Sequence, residues 1–495
     1  MLPKKINELK QSGGSLSQRT LRGGFWVFSL RTVQQVFGLA RLLILARILA
    51  PNDFGLMGMA LLTMSTLETF SQTGFQAALI QKKEDIESYL DAAWTVLVLR
   101  GLLLFGILYF AAPFAAAFFD APEARPVIQA IGLSSLFQAL TNIGVIYFQK
   151  DLEFNKEFIY QFAGTLSDFI VAVTAVLILK NVWALVFGML AGNAVRCIVS
   201  YLIHPYRPHL SRDLKKSREL FGFGKWVLGS SILLFLITQG DDIFVGKLLG
   251  ATALGFYQLA YRISNMPATE ITQVVSSVTF PVYSKIQSDI PKLREAYLKV
   301  LQVTAFLSFP IAGMIFVLAP DFTKIFLGEK WMPMVPAMQI LVFWGAIRSM
   351  AGVNSSVLHA VKRPDIITKL SAIKLPIMAI LIYPLSIKYG ITGTSLAVFI
   401  SAIFITPNTF YIVISKILSS KISVILKTVS VPFAGTIFIV SLITFFTPDN
   451  LSLSGFILAV TAGIACYFLV TYILDNLLKQ NIWYNIKTAM SGVLK

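Results

Sequence analysis

The side chains with chemistry to do in this chain are charges and amides set inside long apolar runs. The run 22–46 carries Arg31, Gln34, Gln35, Gly38 and Arg41, which at helical spacing fall within roughly a third of the circumference. Later runs carry Arg100, Arg196, Arg262, Arg348 and Lys374, with the acids Glu68, Asp168, Asp241, Asp242 and Glu270. A charge at mid-helix in hydrocarbon costs ~2.5–3.5 kcal/mol, so each one needs a partner or a wet cavity. Bases outnumber acids, and guanidinium forks match phosphate oxygens two at a time. A cavity lined by them therefore suits a phosphate-bearing or acidic-sugar ligand. Arg31, Arg41, Arg262, Arg348 and Lys374 are the candidate binding cations, with Gln34 and Gln35 beside the first two. Arg100 and Arg196 have the plainer reading of interface anchors or partners of Asp168.

The acids admit two roles. Asp241 and Asp242 either neutralise Arg41 across the two halves of the chain or couple ion movement to transport, one of them protonated. Glu68 and Glu270 either bond a neighbouring helix or share in that coupling. Two polar stripes accompany these charges. Arg262, Asn265, Thr269, Thr272 and Ser276 recur at alternating spacings of three and four, and Ser65, Thr69, Gln72 and Gln76 form a similar row 200 residues earlier. Such stripes face protein or water rather than lipid. They either line a cavity that bonds ligand hydroxyls or glue helices together at ~0.6 kcal/mol per contact.

Several chemistries have no residues to carry them. Three histidines, His204, His209 and His359, are too scattered for a metal cluster, and no nucleophile–base pairing stands out. No phosphate-binding G-x-x-x-x-G-K-[ST] loop occurs, so ATP hydrolysis is not expected. Cys197 and Cys466 fall inside apolar runs and read as small hydrophobes. No cofactor is expected.

Positioning these residues falls to membrane helices. Of 495 residues 56% are hydrophobic and only 14% charged, which a soluble domain does not tolerate. The fold class expected is all-α and polytopic, with about 14 spans: 22–46, 53–79, 92–113, 126–148, 157–179, 182–204, 220–246, 252–280, 299–319, 333–360, 366–387, 391–414, 425–446 and 454–475. The net charge of +17 does not imply nucleic acid. With alternate loops assigned to one side, that side holds about 27 Lys/Arg against about 7 opposite, the positive-inside pattern. Both termini are then cytoplasmic, and the basic loops anchor topology and touch anionic lipid. Residues 1–21 are polar and basic and do not read as a cleavable signal.

The chain repeats itself at an offset of 200. Gly24 and Trp26-Val27 are answered by Gly224 and Trp226-Val227, Arg47 by Lys247, Leu49 by Leu249, Gly55 by Gly255 and Ala60 by Ala260. Internal repeats of apolar helices are the plan of many transporters, with the substrate path where similar halves meet. The domains expected are a cytoplasmic segment 1–21, an N-lobe 22–204, a Pro-rich basic linker 205–219 and a C-lobe 220–417, then two extra helices in 418–475 and a tail 476–495.

Several stretches carry a resemblance. They are Leu-Ala-Arg-Ile-Leu-Ala-Pro-Asn-Asp-Phe-Gly-Leu (45–56), Gly-Phe-Gln-Ala-Ala-Leu-Ile-Gln (74–81), Leu-Gly-Ala-Thr-Ala-Leu-Gly-Phe-Tyr (249–257), Phe-Pro-Val-Tyr-Ser-Lys-Ile-Gln (280–287) and Phe-Leu-Gly-Glu-Lys-Trp (326–331). With Arg348, Asn354 and Val361-Lys362-Arg363-Pro364, they make roughly residues 20–420 similar to Wzx-type flippases and the lipopolysaccharide and colanic-acid exporters. These form the polysaccharide transporter branch of the multidrug/oligosaccharidyl-lipid/polysaccharide exporter superfamily. The resemblance implies two six-helix lobes in a V, alternating access, and transport rather than enzymatic chemistry. It implies as cargo an undecaprenyl-diphosphate-linked oligosaccharide repeat unit for surface polysaccharide (O-antigen, exopolysaccharide or capsule), crossing a bacterial inner membrane. The pathway's polymerase and glycosyltransferases are the implied partners, besides membrane lipids. The alternatives are a cation-coupled multidrug antiporter, a peptidoglycan-precursor flippase and a membrane glycosyl polymerase or ligase. An antiporter for cationic drugs calls for a net acidic cavity, and a polymerase for a long external loop; the sequence offers neither.

Overall fold

The computed structural model describes residues 16–72, 86–211, 214–448 and 450–485. Every regular element among them is helical. Twelve helices of seventeen or more residues follow one another, and two of these are broken at a glycine, which gives fourteen segments. In chain order they are α1 (Leu16–Ile48), α2 (Pro51–Phe70), α3 (Glu87–Phe118), α4 (Ala124–Leu140), α5 (Phe154–Leu179), α6 (Trp183–Ile203), α7 (214–249), α8 (251–286), α9 (Ile290–Phe322), α10 (Val335–Ala360), α11 (364–389), α12 (391–411), α13 (Ser423–Phe446) and α14 (Leu453–Leu478). Nine helices among the described residues are long and apolar enough to cross a membrane, one of them the broken run Pro364–Ile417. The expected polytopic all-α fold is therefore present.

The turns follow from local chemistry. Gly250 takes φ +83°, a left-handed conformation that glycine reaches without a Cβ clash, and it turns α7 into α8. The same repeat position in the first copy is Ala50, followed by Pro51 at the first position of α2, where a missing N–H costs nothing. The backbone N–H of Ala50 donates to the Asp53 carboxylate at 2.9 Å and closes that turn. Gly390, at φ +58°, separates α11 from α12. Lys180 adopts φ +51° at the end of α5, so the break expected at Lys180-Asn181 is a left-handed helix cap.

The chain divides into two compact units, Met1–Phe235 and Leu236–Lys495. The division falls inside α7, some way beyond the linker 205–219. In the first unit α5 packs on α6, α3 on α4 and α1 on α5. The α5–α6 crossing is close: a Cβ on Gly188 would stand 2.6 Å from Ala172 Cβ and 2.7 Å from the Asp168 carboxylate. In the second unit α9 packs against α10 and α13, and α10 against the α11–α12 run. Tyr283, Leu293, Tyr297, Val357, Leu358 and Val413 belong to one buried apolar cluster of this unit.

The stretch after α14, expected to be tail, folds back as far as the described residues reach. The buried Asp475 carboxylate accepts from the N–H groups of Ile482 (3.1 Å) and Trp483 (3.2 Å). Trp483 then packs on Phe306, Phe468 and Tyr472, and Asn485 donates to Gln302 at 2.8 Å. An anchored carboxylate thus ties α14 and its sequel to α9.

Candidate functional site

In the first unit several of the helix charges are held by their neighbours. The Arg41 guanidinium on α1 meets Asp168 of α5 at 3.2 Å, and both side chains are largely buried. Its second reach is toward the carbonyl of Leu185 on α6 at 3.5 Å. Aromatic rings seam the same helices, with Phe37 edge-on to Phe162 and Phe169. Asp168 therefore has Arg41 as its ion-pair partner. The sequence offers Asp168 to Arg100 or Arg196 as one alternative and does not suggest a pair with Arg41.

Arg100 does something the sequence did not announce. From α3 its Nε donates to the carbonyl of Ser71 (2.9 Å) and to Ser71 Oγ (3.1 Å), and its Nη2 donates to the carbonyl of Glu68 (2.9 Å). These are carbonyls at the C-terminus of α2, which no helical N–H can reach and which carry the negative end of the helix dipole. Arg100 is a tertiary cap on α2, with the Glu68 carboxylate within electrostatic reach. Arg196 donates to Asn193 at 2.9 Å, and its stem fills the space that Gly164 leaves open on α5.

The remaining expected residues of the first unit lie apart from these pairs. Arg31 is exposed on α1, and Gln34 and Gln35 are half-buried. On α2, Ser65 donates to its own helix at Leu62 (3.1 Å), Thr69 is half-buried, and Gln72 is exposed just past the helix end. Gln76 lies outside the described residues.

In the second unit the α8 stripe meets α10. Ser264 donates to the carbonyl of Met338 at 2.8 Å, and Ser356 donates to Ser276 at 3.2 Å. A Cβ on Gly345 would stand 3.4 Å from Asn265 Oδ1, and one on Gly352 2.4 Å from the Thr272 methyl. Asn265 and Thr272 thus face α10, while Thr269 donates to the Asn265 carbonyl at 2.9 Å. Arg262 is exposed, and Glu270 is half-buried on the same helix. The periodicity named one helical face; the structure splits it between helix packing and open surface.

A second polar group gathers α7, α8, α10 and α11. Asp241 is 4% exposed, and Tyr257 donates its hydroxyl to Asp241 Oδ2 at 2.6 Å. The other carboxylate oxygen of Asp241 and Oδ1 of Asp242 are buried with no hydrogen-bond partner. Lys374, itself buried, places its ammonium 4.1 Å from the centre of the Trp344 ring, a cation–π contact. It remains within electrostatic reach of Asp241 and of the half-buried Arg348. Phe244 against Tyr383, and Gly240 against Met378, bring α7 and α11 together here. Tyr257, Tyr261 and Trp344 were not singled out in the sequence. An aromatic in an apolar helix carries no signal until the fold sets it beside a charge. Among the described residues no group of three or more His, Cys, Asp or Glu could hold a metal.

Comparisons with known proteins agree with the helical plan. The model of the polysaccharide biosynthesis protein family matches residues 44–336. The lipopolysaccharide biosynthesis protein WzxC of Escherichia coli (strain K12) is 27% identical over 432 residues, covering 85% of this chain and 86% of that protein. The teichuronic acid biosynthesis protein TuaB of Bacillus subtilis (strain 168) is 29% identical, covering 59% and 61%. Among solved structures, the lipid II flippase MurJ in an inward closed conformation superposes with a TM-score of 0.73 at 16% identity, over 91% of this chain and 99% of that one. A multidrug resistance MATE family transporter, inward-facing, gives 0.58 at 14% identity, over 84% and 96%. Those two likenesses establish a polytopic exporter fold, and the family match, which spans more than half the sequence, places this chain in the polysaccharide biosynthesis protein family.

Proposed function

We propose that this protein is a flippase that carries a lipid-linked oligosaccharide across the bacterial inner membrane for surface polysaccharide synthesis. The observation that carries the reading is the family match over 44–336, joined to near full-length similarity with a lipopolysaccharide biosynthesis protein. The undecaprenyl diphosphate of the cargo supplies the anion that basic helix residues recognise. Arg31 of the first unit and Arg262 and Arg348 of the second are the cations assigned to it. Gln34, Gln35 and Thr269 add hydrogen bonds to sugar hydroxyls. The polyprenyl tail stays in lipid while the site opens to one side and then the other. No covalent bond changes in this cycle. Both termini lie in the cytoplasm, and the pathway's glycosyltransferases and polymerase act before and after the crossing.

Deleting the gene and analysing lipid-linked intermediates tests the reading. A single repeat unit held in the cytoplasmic leaflet is expected. A normal intermediate pool together with altered drug sensitivity would replace the flippase by a drug antiporter. Arg31→Ala combined with Arg262→Ala should abolish export at normal membrane abundance; wild-type export by that double variant removes both arginines from the cargo site.

A further inference from the structure

The helices α13 and α14 follow the second lobe and have no counterpart in the repeat, so whatever holds them is built into that end of the chain itself. Apolar faces alone hold helices weakly in a bilayer, because lipid tails are as apolar as a leucine. Both helices pack on α9, and a short stretch after α14 supplies the grip. Lys479 takes φ +50° and Asn481 φ +57°, two left-handed residues that turn the chain back at the end of α14. Neither is glycine, so each conformation has a steric cost that the surrounding contacts must offset.

Those contacts come from three helices at once. From α14, the Asp475 carboxylate accepts the N–H groups of Ile482 and Trp483. From α9, the Gln302 side chain donates to the Gln480 carbonyl at 3.4 Å and accepts from Asn485 at 2.8 Å. From α13, Ser430 accepts from the Gln480 side chain at 2.9 Å. Within this polar ring Ile482 is fully buried, in one apolar cluster with Phe306 of α9, Val431 and Ile439 of α13 and Tyr467 of α14. Tyr467 joins α14 to α9 once more, donating its hydroxyl to the Phe306 carbonyl at 2.9 Å.

The three polar grips have matching places in the sequence. Gln302, Ser430 and Asp475 each stand three or four residues, about one helical turn, to the apolar side of a lysine: Lys299, Lys427 and Lys479. At that level, opening the contacts would leave a carboxylate and two amide side chains without partners at the edge of the hydrocarbon.

We propose that residues 479–485 are a clasp that makes α9, α13 and α14 one cooperative unit, and that the clasp opens only when α14 itself unfolds. Ile482 is its plug, and Gln302, Ser430 and Asp475 are its catches, one from each helix. Any movement of α9 then carries α13 and α14 with it.

Hydrogen exchange of the purified full-length protein, read at single amides, tests the proposal. The amides of Ile482 and Trp483 should exchange within about tenfold of the α14 interior, because both wait for the same opening. Exchange more than tenfold faster than the α14 interior overturns it. Asp475→Ala should speed exchange about tenfold or more at Ile482 and Trp483 and also in α13 around Ser430, with α5 and α6 of the first unit unchanged. Acceleration confined to 479–485 overturns the proposal, since α13 and α14 would then be holding themselves. Asp475→Asn keeps one acceptor oxygen and should fall between wild type and Asp475→Ala. If Asp475→Ala does not accumulate, Gln302→Ala, which removes only the catch on α9, is read by the same criterion. Amide protection is independent of what the protein carries, so failure here leaves the cargo reading standing.

Discussion

Position 41 and position 241 occupy the same place in the two repeats, yet they are held in opposite ways. Arg41 sits in a tight pair with Asp168, seamed by Phe37, Phe162 and Phe169 and backed by the glycine-tight crossing of α5 and α6. Asp241 has a tyrosine hydroxyl, a second carboxylate beside it and a lysine that leans on an aromatic ring. The first is an arrangement that resists change, since separating it strands two charges. The second holds buried carboxylate oxygens without a hydrogen-bond donor and a lysine on an aromatic ring, a network less completely satisfied than the first. In a duplicated sequence, one copy of a charged position is closed in an ion pair and the other sits in a partly satisfied polar group.

The most damaging way to break this contrast is to strip one partner from the ion pair. Arg41→Ala removes the Arg41 cation from the half-buried Asp168 carboxylate and should cost about 3 kcal/mol, seen as lost membrane accumulation and a lower unfolding temperature. Replacing both partners by apolar residues, Arg41→Met with Asp168→Leu, should recover most of that loss. Recovery marks the pair as structural; continued collapse or loss of export in a well-folded double variant would instead give Arg41 a role in the transport cycle.

A sharper version makes the first unit resemble the second. Arg41→Lys keeps the charge but gives up the planar fork, including the reach to the Leu185 carbonyl, and should cost about 1 kcal/mol. A similar size is expected for Arg100→Gln, which uncaps the C-terminus of α2 at Ser71 and Glu68. That loss should appear as faster hydrogen exchange confined to the last turn of α2. Exchange spread evenly over the first unit would mean that Arg100 acts as a general anchor instead.

Much of the scaffold is legible in the sequence. Apolar runs of bilayer length locate helices because the backbone has no other way to satisfy itself in lipid, and Gly250 and Gly390 end helices through their own conformational freedom. Charges were harder. The sequence showed that Arg100, Arg196 and Asp168 needed partners, but a partner on another helix is a matter of tertiary register. So Arg100 proved to be a cap, and Asp168 belonged to Arg41. The α8 stripe failed in a different way, since helical periodicity names a face without naming its neighbour, and α10 lies against Asn265 and Thr272. The exchange of charge between positions 41 and 241 lay in plain view within the repeat. A search for matching residues passes over it, because opposite charges count as a mismatch.

The smallest effect expected belongs to the end of the first unit that carries the linker, where there is no counterpart to compare. His204 follows α6, stacks on Tyr147 with the rings nearly parallel, and accepts the Tyr206 N–H at Nδ1 (3.2 Å). The linker beyond it is strapped down: Tyr206 donates its hydroxyl to Asp91 at 2.7 Å, His209 its backbone N–H to the same oxygen, and Ser211 its backbone N–H to Thr95. Burial, and next the Lys156 ammonium, hold the His204 imidazole below the usual histidine range. The unfolded chain therefore takes up this proton first as pH falls. Stability should be flat above about pH 6.5 and decline below it, as protonation removes the acceptor that Tyr206 uses. His204→Gln cannot titrate, and it should flatten the acid side of the unfolding profile by a small margin while leaving the neutral side nearly unchanged. An acid slope identical in wild type and variant would assign the loss to other groups and leave the strap indifferent to His204.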